Sequence, residues 1–295
     1  MPNLSRILTA LDLSSMDERL MKALHLYHDF LSTQKAYFLH IMPDFNLPKE
    51  IDVEFHHLFS PDYPVDEKVQ DKINLDLVEV FGENPTFETQ VEVREGQPLQ
   101  KLLHWIKVKE IDWLLIGNKK QSEGSGITAR RVARQSSCNI FFVPNAPLHS
   151  SKKILIPLDF SENSARALRK AKKWKMKDPE IEIYGMYVID LPPTDYYMRP
   201  VPSSGFQKVL RESAEQAYKK FLTKYELLDL DIKMHYEENV YTNVATHIHE
   251  FIKKEDVDIL MLGAQGHTAW NNFFFGSVTE RLVVLCKEIP VVVVR

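Results

Sequence analysis

Apolar residues along the chain follow two spacings in turn. Short runs rich in β-branched and aromatic residues predict strands, and between them apolar residues recur three and four positions apart, which predicts helices. Clear strand-like runs lie at residues 35–42, 86–94, 181–188 and 231–236. Residues 259–262 and 291–294 are almost wholly apolar, as is typical of strands covered on both faces. This alternation predicts an α/β fold with parallel strands joined by helical crossovers.

The alternating pattern occurs twice in the same order. Residues 6–14 (RILTALDLS) resemble residues 153–161 (KILIPLDFS), and residues 111–117 (IDWLLIG) resemble residues 257–263 (VDILMLG). Corresponding residues lie 147 positions apart in the first pair and 146 positions apart in the second. A match in both order and spacing indicates an internal duplication.

The duplication predicts two tandem domains, residues 1–145 and residues 152–295, separated by a segment rich in proline, asparagine and serine. Each domain is predicted to be a doubly wound, Rossmann-like parallel sheet of five strands in the order 3-2-1-4-5, with four helices. The length of 295 residues agrees with this division, because a common domain has about 150 residues.

Composition excludes several classes of protein. The net charge of −4 and the isoelectric point near 6.3 argue against a nucleic-acid-binding protein, in which basic residues are usually in excess. No apolar run reaches the ~18–20 residues that span a membrane. Cys138 and Cys286 are too few for a disulfide framework. The first residues lead directly into a strand without the regions of a secretory leader, so we expect a cytoplasmic protein.

Unusual residues follow the two central strands of the second predicted sheet. The first strand is followed by Asp159, and the fourth by Gly263, Gly266 and, after nine further residues, Gly276 and Ser277. Doubly wound sheets bind ligands beyond the carboxyl ends of their strands, where the strand order reverses. Glycines let the backbone turn closely around a ligand. A helix that begins near Gly276 would offer its free amides and its positive dipole end to a phosphate.

This combination resembles the universal stress protein family. The resemblance rests on the Leu-Asp-Phe-Ser sequence that ends the first strand and on the run from Leu262 to Arg295. Within that run, the spacing G-x2-G-x9-G-S is the motif of the ATP-binding branch of the family. The resemblance covers the whole second half and, more loosely, the first half, and therefore implies a tandem member with an adenine nucleotide alpha hydrolase-like fold.

The resemblance implies a nucleotide site in the second half, formed by Pro157, Asp159, Val188, Gly263, Gly266, Gly276, Ser277 and Val278. In this arrangement Asp159 lies beside the ribose or the adenine, and Pro157 and Val188, at the ends of the first two strands, line the adenine slot. The glycines wrap the ribose and phosphates, and the residues that begin the last helix donate hydrogen bonds to the phosphates. Gln265 stands where the family often has a basic residue, which removes one counter-charge for the phosphates.

The first half departs from this motif. Gly117 is followed by Asn118 and Lys119 without a second glycine, eight residues separate Gly117 from Gly126 where the second half has twelve, and Ile127 replaces the serine. Asp12 is retained. We therefore predict that the first half binds no nucleotide.

Some of the predicted site residues also have a purely structural explanation. The Ser277-x-x-Glu280 sequence is also a capping box, which would stabilise a helix start without any ligand, and Asp159 could serve only to cap the helix that follows it. Histidine pairs such as His247 and His249 lack a convincing third ligand, so we predict no metal site. Neither a G-x-S-x-G turn nor a G-x4-G-K-[ST] loop is found, so no catalytic residue is predicted.

We predict an ATP-binding stress-response protein with a regulatory role and little or no catalysis, which binds ATP with or without Mg²⁺. Two alternatives stay open: an adenine-nucleotide-dependent enzyme, such as a slow ATPase or an adenylating or phosphoryl-transferring enzyme, and a scaffold that binds no nucleotide. Residues 140–143 and 291–294 are predicted to pair within one chain, which would cover two sheet edges. Homodimer formation is also considered, whereas no nucleic-acid or membrane partner is expected.

Overall fold

The computed structural model describes residues 5–42, 65–119, 126–150, 152–190, 204–239, 243–264 and 276–295. The chain forms two compact units, Met1–Leu148 and His149–Arg295, called unit 1 and unit 2 below. Within the described ranges, no helix has both the length and the apolar character needed to cross a membrane.

Unit 1 alternates strands and helices along its described residues. In chain order the elements are β1 (Ser5–Leu11), α1 (Ser15–Leu31), β2 (Thr33–Met42), α2 (Val65–Phe81), β3 (Glu88–Glu95), α3 (Pro98–Val108), β4 (Trp113–Asn118), α4 (Ile127–Gln135) and β5 (Asn139–Pro144). The strands hydrogen-bond in the order β3-β2-β1-β4-β5, and neighbouring strands are parallel. Helix α1 packs against α2, and α3 packs against α4.

Unit 2 repeats this arrangement. Its elements are β6 (Lys153–Pro157), α5 (Glu162–Lys177), β7 (Glu182–Asp190), α6 (Ser204–Lys224), β8 (Lys233–Asn239), α7 (Val244–Lys254), β9 (Ile259–Gly263), α8 (Ser277–Leu285) and β10 (Val291–Val294). The strands are parallel and follow the order β8-β7-β6-β9-β10. Helix α5 packs against β6, β9 and β10, and α7 packs against α8.

The core of each unit is its central sheet. Leu8 on β1 and Leu114 on β4 are fully buried, as are Leu260 on β9 and Val292 on β10. Strands buried on both faces explain why these segments are continuously apolar rather than alternating. The α/β prediction is confirmed. The predicted strand at residues 231–236 begins two residues later and ends three residues later, as Lys233–Asn239, because its polar end is recruited into pairing with β7.

Candidate functional site

The topology of unit 2 creates a crevice at the carboxyl ends of its central strands. Strand β6 lies between β7 and β9. The chain leaves β6 to form β7 on one side and later returns to form β9 on the other side. Connections that depart in opposite directions leave a gap above the strand ends, and ligands of doubly wound folds bind there.

A cavity of about 500 Å³ occupies this position, within the about 300–1,000 Å³ typical of small-molecule sites. Seven of the eight predicted site residues line it: Pro157, Asp159, Val188, Gly263, Gly276, Ser277 and Val278. Gly266 lies outside the described residues. Residues far apart in the sequence therefore meet at one cavity, although the contact of each one with a ligand stays a prediction.

The turn that follows β6 places Asp159 at the cavity. Leu158 N–H donates to Met186 O at 2.7 Å, which extends the contact between β6 and β7 by one residue. Asp159 Oδ1 then accepts a hydrogen bond from Ser161 N–H at 3.0 Å. The N-cap of α5 is Ser161, whose Oγ accepts from Ser164 N–H at 3.3 Å. The alternative in which Asp159 caps the helix is therefore wrong, because the aspartate stabilises the turn before the cap.

Phe160 in this turn has a left-handed backbone, with φ of 61°. The corresponding residue of unit 1, Leu13, has φ of 58°. Neither residue is glycine, so each conformation costs on the order of 1–2 kcal/mol. In unit 2 the Phe160 ring stacks on Tyr187, with ring centroids 4.5 Å apart and 11° between the planes, and Tyr187 lines the cavity. The stacking offsets part of the backbone cost and fixes the turn beside the site.

The N-terminus of α8 reaches the cavity without a side-chain cap. Its N-cap is Gly276, with φ of −60° and ψ of 144°, and this residue has no side chain with which to cap the first amides of the helix. The capping-box alternative for Ser277 and Glu280 is therefore wrong, because Ser277 is already the first helical residue. Uncapped amides at a helix start carry partial positive charge and can bind an anion.

Two hydrogen bonds join the start of α8 to the end of β9, and a third joins the end of β9 to β10. Gly276 N–H donates to Ala264 O at 3.1 Å, and Ala264 N–H donates to Val294 O at 2.9 Å. The Thr279 hydroxyl donates to Gly263 O at 3.2 Å. The helix start is thus held in place by backbone groups at the end of the sheet.

Glycine at position 263 is required by the packing of α5 on β9 as well as by its place in the cavity lining. A Cβ atom at this position would lie 2.6 Å from the carbonyl carbon and 2.7 Å from the carbonyl oxygen of Asn163, in the first turn of α5. These are backbone atoms, which cannot rotate away. The first glycine of the motif therefore allows α5 to pack closely on the end of β9.

The described cavity lining is acidic at two points. It contains the carboxylates of Asp159 and Asp190 and includes neither lysine, arginine nor histidine. Burial raises the pKa of Tyr187, and the charges of Asp190 and Asp159 raise it further. Within this lining, the attraction for an anionic group comes from the amides of α8.

The corresponding cavity in unit 1 is smaller, about 270 Å³, and Lys119 lies in its wall. Lys119 Nζ forms an ion pair with Asp12 and also donates to Ser14 Oγ at 2.8 Å. Burial acts to raise the pKa of Asp12, but hydrogen bonds from Lys119 and Ser14 outweigh it and the pKa is lowered. The retained aspartate of unit 1 is therefore already paired within the protein.

Asp17 is a second carboxylate of unit 1, and its side chain is buried at the first turn of α1. It accepts hydrogen bonds from Asp12 N–H at 3.0 Å and from Leu13 N–H at 2.8 Å. Burial raises the pKa of Asp17 to about 6, and the charge of Asp12 adds to this rise. The equivalent position in unit 2 is Ser164, an uncharged residue.

The raised pKa of Asp17 predicts a pH-dependent stability of unit 1. Its carboxyl group holds a proton more tightly in the folded than in the unfolded chain, so stability falls as pH rises from about 4 through about 6. In Asp17→Asn, the decrease in the free energy of unfolding over this pH range should be smaller by roughly 2 kcal/mol. Urea unfolding at several pH values, followed by the reactivity of buried Cys138, measures it. The exposed Asp29 provides the control Asp29→Asn, and an unchanged pH dependence in Asp17→Asn would contradict the prediction.

Sequence reasoning missed several residues that line the unit 2 cavity. They include Asp190 at the end of β7, Ser164 on α5, and Val244 and Ile248 on α7. Asp190 follows Val188 by two residues and so lies on the same side of the strand. This two-residue periodicity could have identified Asp190 from the sequence. The residues on α7 could not be found in this way, because their position depends on how the helix crosses the sheet.

Comparison with known proteins finds similarity in both sequence and fold. A family model described as the universal stress protein family matches residues 150–295. A universal stress protein of Methanocaldococcus jannaschii is 33% identical over 150 residues, which cover 49% of this chain and 82% of the relative. A second universal stress protein of the same organism is 31% identical over 155 residues, which cover 49% of this chain and 94% of the relative.

A solved structure extends the similarity over both units. The crystal structure of a universal stress protein from Archaeoglobus fulgidus superposes with a TM-score of 0.62 and 15% sequence identity, covering 99% of this chain and 96% of that chain. At this identity the comparison supports the fold alone. Its coverage agrees with a tandem arrangement.

Proposed function

Because the chain belongs to the universal stress protein family, we propose that it is an adenine-nucleotide-binding regulatory protein whose unit 2 binds one ATP. Residues 152–295 would form the nucleotide-binding domain with the intact motif, and residues 1–145 a related domain with a degenerate motif. The observation that carries this proposal is an uncapped helix start at Gly276 that opens into a cavity of about 500 Å³.

The order of the strands supports one orientation of the nucleotide. The helix start at Gly276 follows β9, Asp159 follows β6, and Val188 lies near the end of β7. Since β6 lies between β9 and β7, the helix amides, the Asp159 carboxylate and Val188 lie in that order across the sheet. A nucleotide has its phosphates, ribose and base in the same order. Phosphates would bind at the amides of Ser277 and Val278, the ribose hydroxyls would donate to Asp159, and the base would lie beside Val188 and Pro157.

The backbone of Val188 offers an edge for the base. Met186 O accepts from Leu158 N–H, and backbone groups two residues apart on a strand point to the same side. The N–H and C=O of Val188 therefore point past the end of β6, which stops at Pro157. An adenine ring presents an acceptor next to a donor and is complementary to such a backbone pair.

Unit 1 is proposed to bind no nucleotide. Its cavity is about half the size of the other, and the ion pair of Lys119 with Asp12 engages the carboxylate that would accept from a ribose. A nucleotide would have to separate this pair before its ribose could bind.

Direct identification of bound nucleotide tests the proposal. Freshly purified protein is denatured and any released nucleotide is identified, and stripped protein is then titrated with ATP by calorimetry, with and without Mg²⁺. We expect one ATP per chain. Failure to bind adenine nucleotide would overturn the proposal, and an ATP turnover of ~1–10³ per second would favour the enzyme alternative instead.

Removal of the carboxylate at the centre of the site gives a sharper test. Asp159→Ala is expected to weaken ATP binding about 10- to 100-fold, the loss expected for hydrogen bonds to a charged acceptor. The matched control is Asp12→Ala in unit 1, which should leave ATP affinity unchanged. Equal effects of the two variants in the calorimetric titration would argue against a site confined to unit 2.

A further inference from the structure

A chain of polar side chains leads from α7 to the wall of the unit 2 cavity. His247 Nε2 on α7 lies 3.2 Å from Asn239 Oδ1. Asn239 Nδ2 donates to Asp190 Oδ1 at 2.7 Å, and Asp190 lines the cavity. Asn239 is 8% exposed, and the side chain of His247 is 15% exposed. Three elements, α7, β8 and β7, thus contribute one residue each to a connected path.

The chemistry of these side chains determines which group donates and which accepts in each hydrogen bond. A carboxylate only accepts hydrogen bonds, so the amide group that Asn239 turns toward Asp190 is its NH₂. The amide oxygen of Asn239 therefore faces His247, and His247 Nε2 carries the proton that it donates. On the other side of the imidazole, Glu237 Oε1 lies 3.8 Å from His247 Nδ1. His247 holds the Asn239 amide in one orientation, and that amide holds one oxygen of Asp190.

The position of Asp190 relates this path to the base. Asp190 follows Val188 by two residues, so its backbone and side chain lie on the same side and face of β7 as those of Val188. Both residues line the cavity. Asn239 donates to Asp190 Oδ1, and the second carboxylate oxygen remains as an acceptor at the cavity that Val188 also lines.

We propose that Asp190 is a specificity-determining residue that accepts a hydrogen bond from the exocyclic amino group of adenine, and that Asn239 and His247 are positioning residues for its carboxylate. The inference rests on the proposed function. Adenine has an amino group at position 6, whereas hypoxanthine and guanine have a carbonyl oxygen there. A carboxylate attracts the amino group and repels the carbonyl, so the site discriminates by attraction and repulsion together.

Unit 1 lacks this arrangement. Strand pairing aligns Met42 with Glu95 as it aligns Ile189 with Glu238, so the residue that corresponds to Asn239 is Gly96. Glycine has no side chain with which to hold an acceptor. The path is therefore associated with the unit that has the larger cavity and the uncapped α8.

The test compares ATP, ITP and GTP in calorimetric titrations of the nucleotide-stripped full chain. The wild-type protein should bind ATP at least about tenfold more tightly than ITP, the ratio expected when a hydrogen bond to a charged group is lost. Asp190→Ala should lower the ratio about tenfold, and any preference that remains reflects the backbone edge of Val188, which also favours adenine over hypoxanthine. Asp190 is exposed, so this substitution leaves folding intact, which circular dichroism verifies.

Variants of His247 separate positioning from a merely structural role. His247→Leu removes the donor to Asn239 and should lower the ATP-to-ITP ratio severalfold. His247→Gln keeps a donor near the position of Nε2 and should restore the ratio. A general loss of folding would weaken ATP and ITP binding equally and would leave the ratio unchanged.

The outcomes distinguish this inference from the proposed function. Binding of ATP and ITP with equal affinity, tighter binding of GTP than of ATP, or a wild-type ratio in Asp190→Ala would each overturn the role of Asp190 and leave ATP binding by unit 2 intact. The absence of any nucleotide binding would overturn the proposed function and this inference together.

Discussion

Glutamate in place of Gly276 is expected to abolish ATP binding, with a loss of affinity beyond about a thousandfold. Gly276 is the N-cap of α8 and lines the cavity. The new side chain would place a carboxylate where the phosphates are proposed to bind, and it could also accept hydrogen bonds from the amides of α8, since acidic side chains are favoured at helix starts. Charge repulsion and loss of the amides thus act together.

Folding should survive this change. The φ of −60° and ψ of 144° at Gly276 belong to a region that any residue adopts, so the substitution introduces no backbone strain. Calorimetric titration with ATP gives the affinity, and a thermal scan checks that the variant is folded. ATP affinity within tenfold of wild type would show that phosphates do not bind at this helix start.

Gly126 in unit 1 provides the matched control. Gly126→Glu should leave ATP binding unchanged, because no nucleotide is proposed to bind there. Gly126 has φ of 54°, so glutamate costs on the order of 1 kcal/mol in backbone strain. The control substitution is therefore expected to destabilise the protein more than Gly276→Glu does. If Gly126→Glu still binds ATP, the effect of Gly276→Glu is due to the site itself.

Residue patterns predicted the parts of this protein that depend on periodicity and on local geometry. The duplicated strand and glycine segments gave two α/β units, because buried strands and helix crossovers impose regular spacing on apolar residues. Asp159 and Gly276 could be assigned to one crevice because both follow central strands, and carboxyl ends of parallel strands meet at one edge.

Side-chain partners from distant segments could not be predicted. Lys119 and Asp12 are 107 residues apart, and Asn239 and Asp190 are 49 residues apart. Neither pair has a sequence pattern, because its distance is set by how neighbouring strands end relative to one another. The capping-box interpretation failed for a related reason, since a Ser-x-x-Glu sequence does not specify whether the helix begins before the serine or after it.

The role of Gly263 illustrates the same limit and leads to the second large expected effect. The motif assigns this glycine to the ligand, but the structure adds a close approach to the backbone of Asn163, which would lie only 2.6 Å from a Cβ atom at position 263. Gly263→Ala should therefore destabilise unit 2 by about 3 kcal/mol, at the upper end of overpacking effects, because α5 must move away from β9. The shift would also carry the turn with Asp159 away from the site.

Gly117→Ala in unit 1 is the matched comparison. A Cβ there would lie 2.6 Å from Met16 Cγ, a flexible side chain that can change rotamer. Its cost should be about 1 kcal/mol, near the lower end of overpacking effects. The two alanine substitutions thus add the same atom at corresponding places and differ in whether the neighbour can move.

Each unit contains one buried cysteine, which lets the two stabilities be measured in a single molecule. Cys138 reports on unit 1 and Cys286 on unit 2. Burial raises the pKa of Cys286 to about 12, so its thiol should react with an alkylating reagent only when unit 2 opens. In a urea series with mass-spectrometric detection, Gly263→Ala should expose Cys286 at lower urea and leave Cys138 unchanged. Equal midpoints for Cys286 in the wild type and in Gly263→Ala would show that α5 does not depend on close contact with β9.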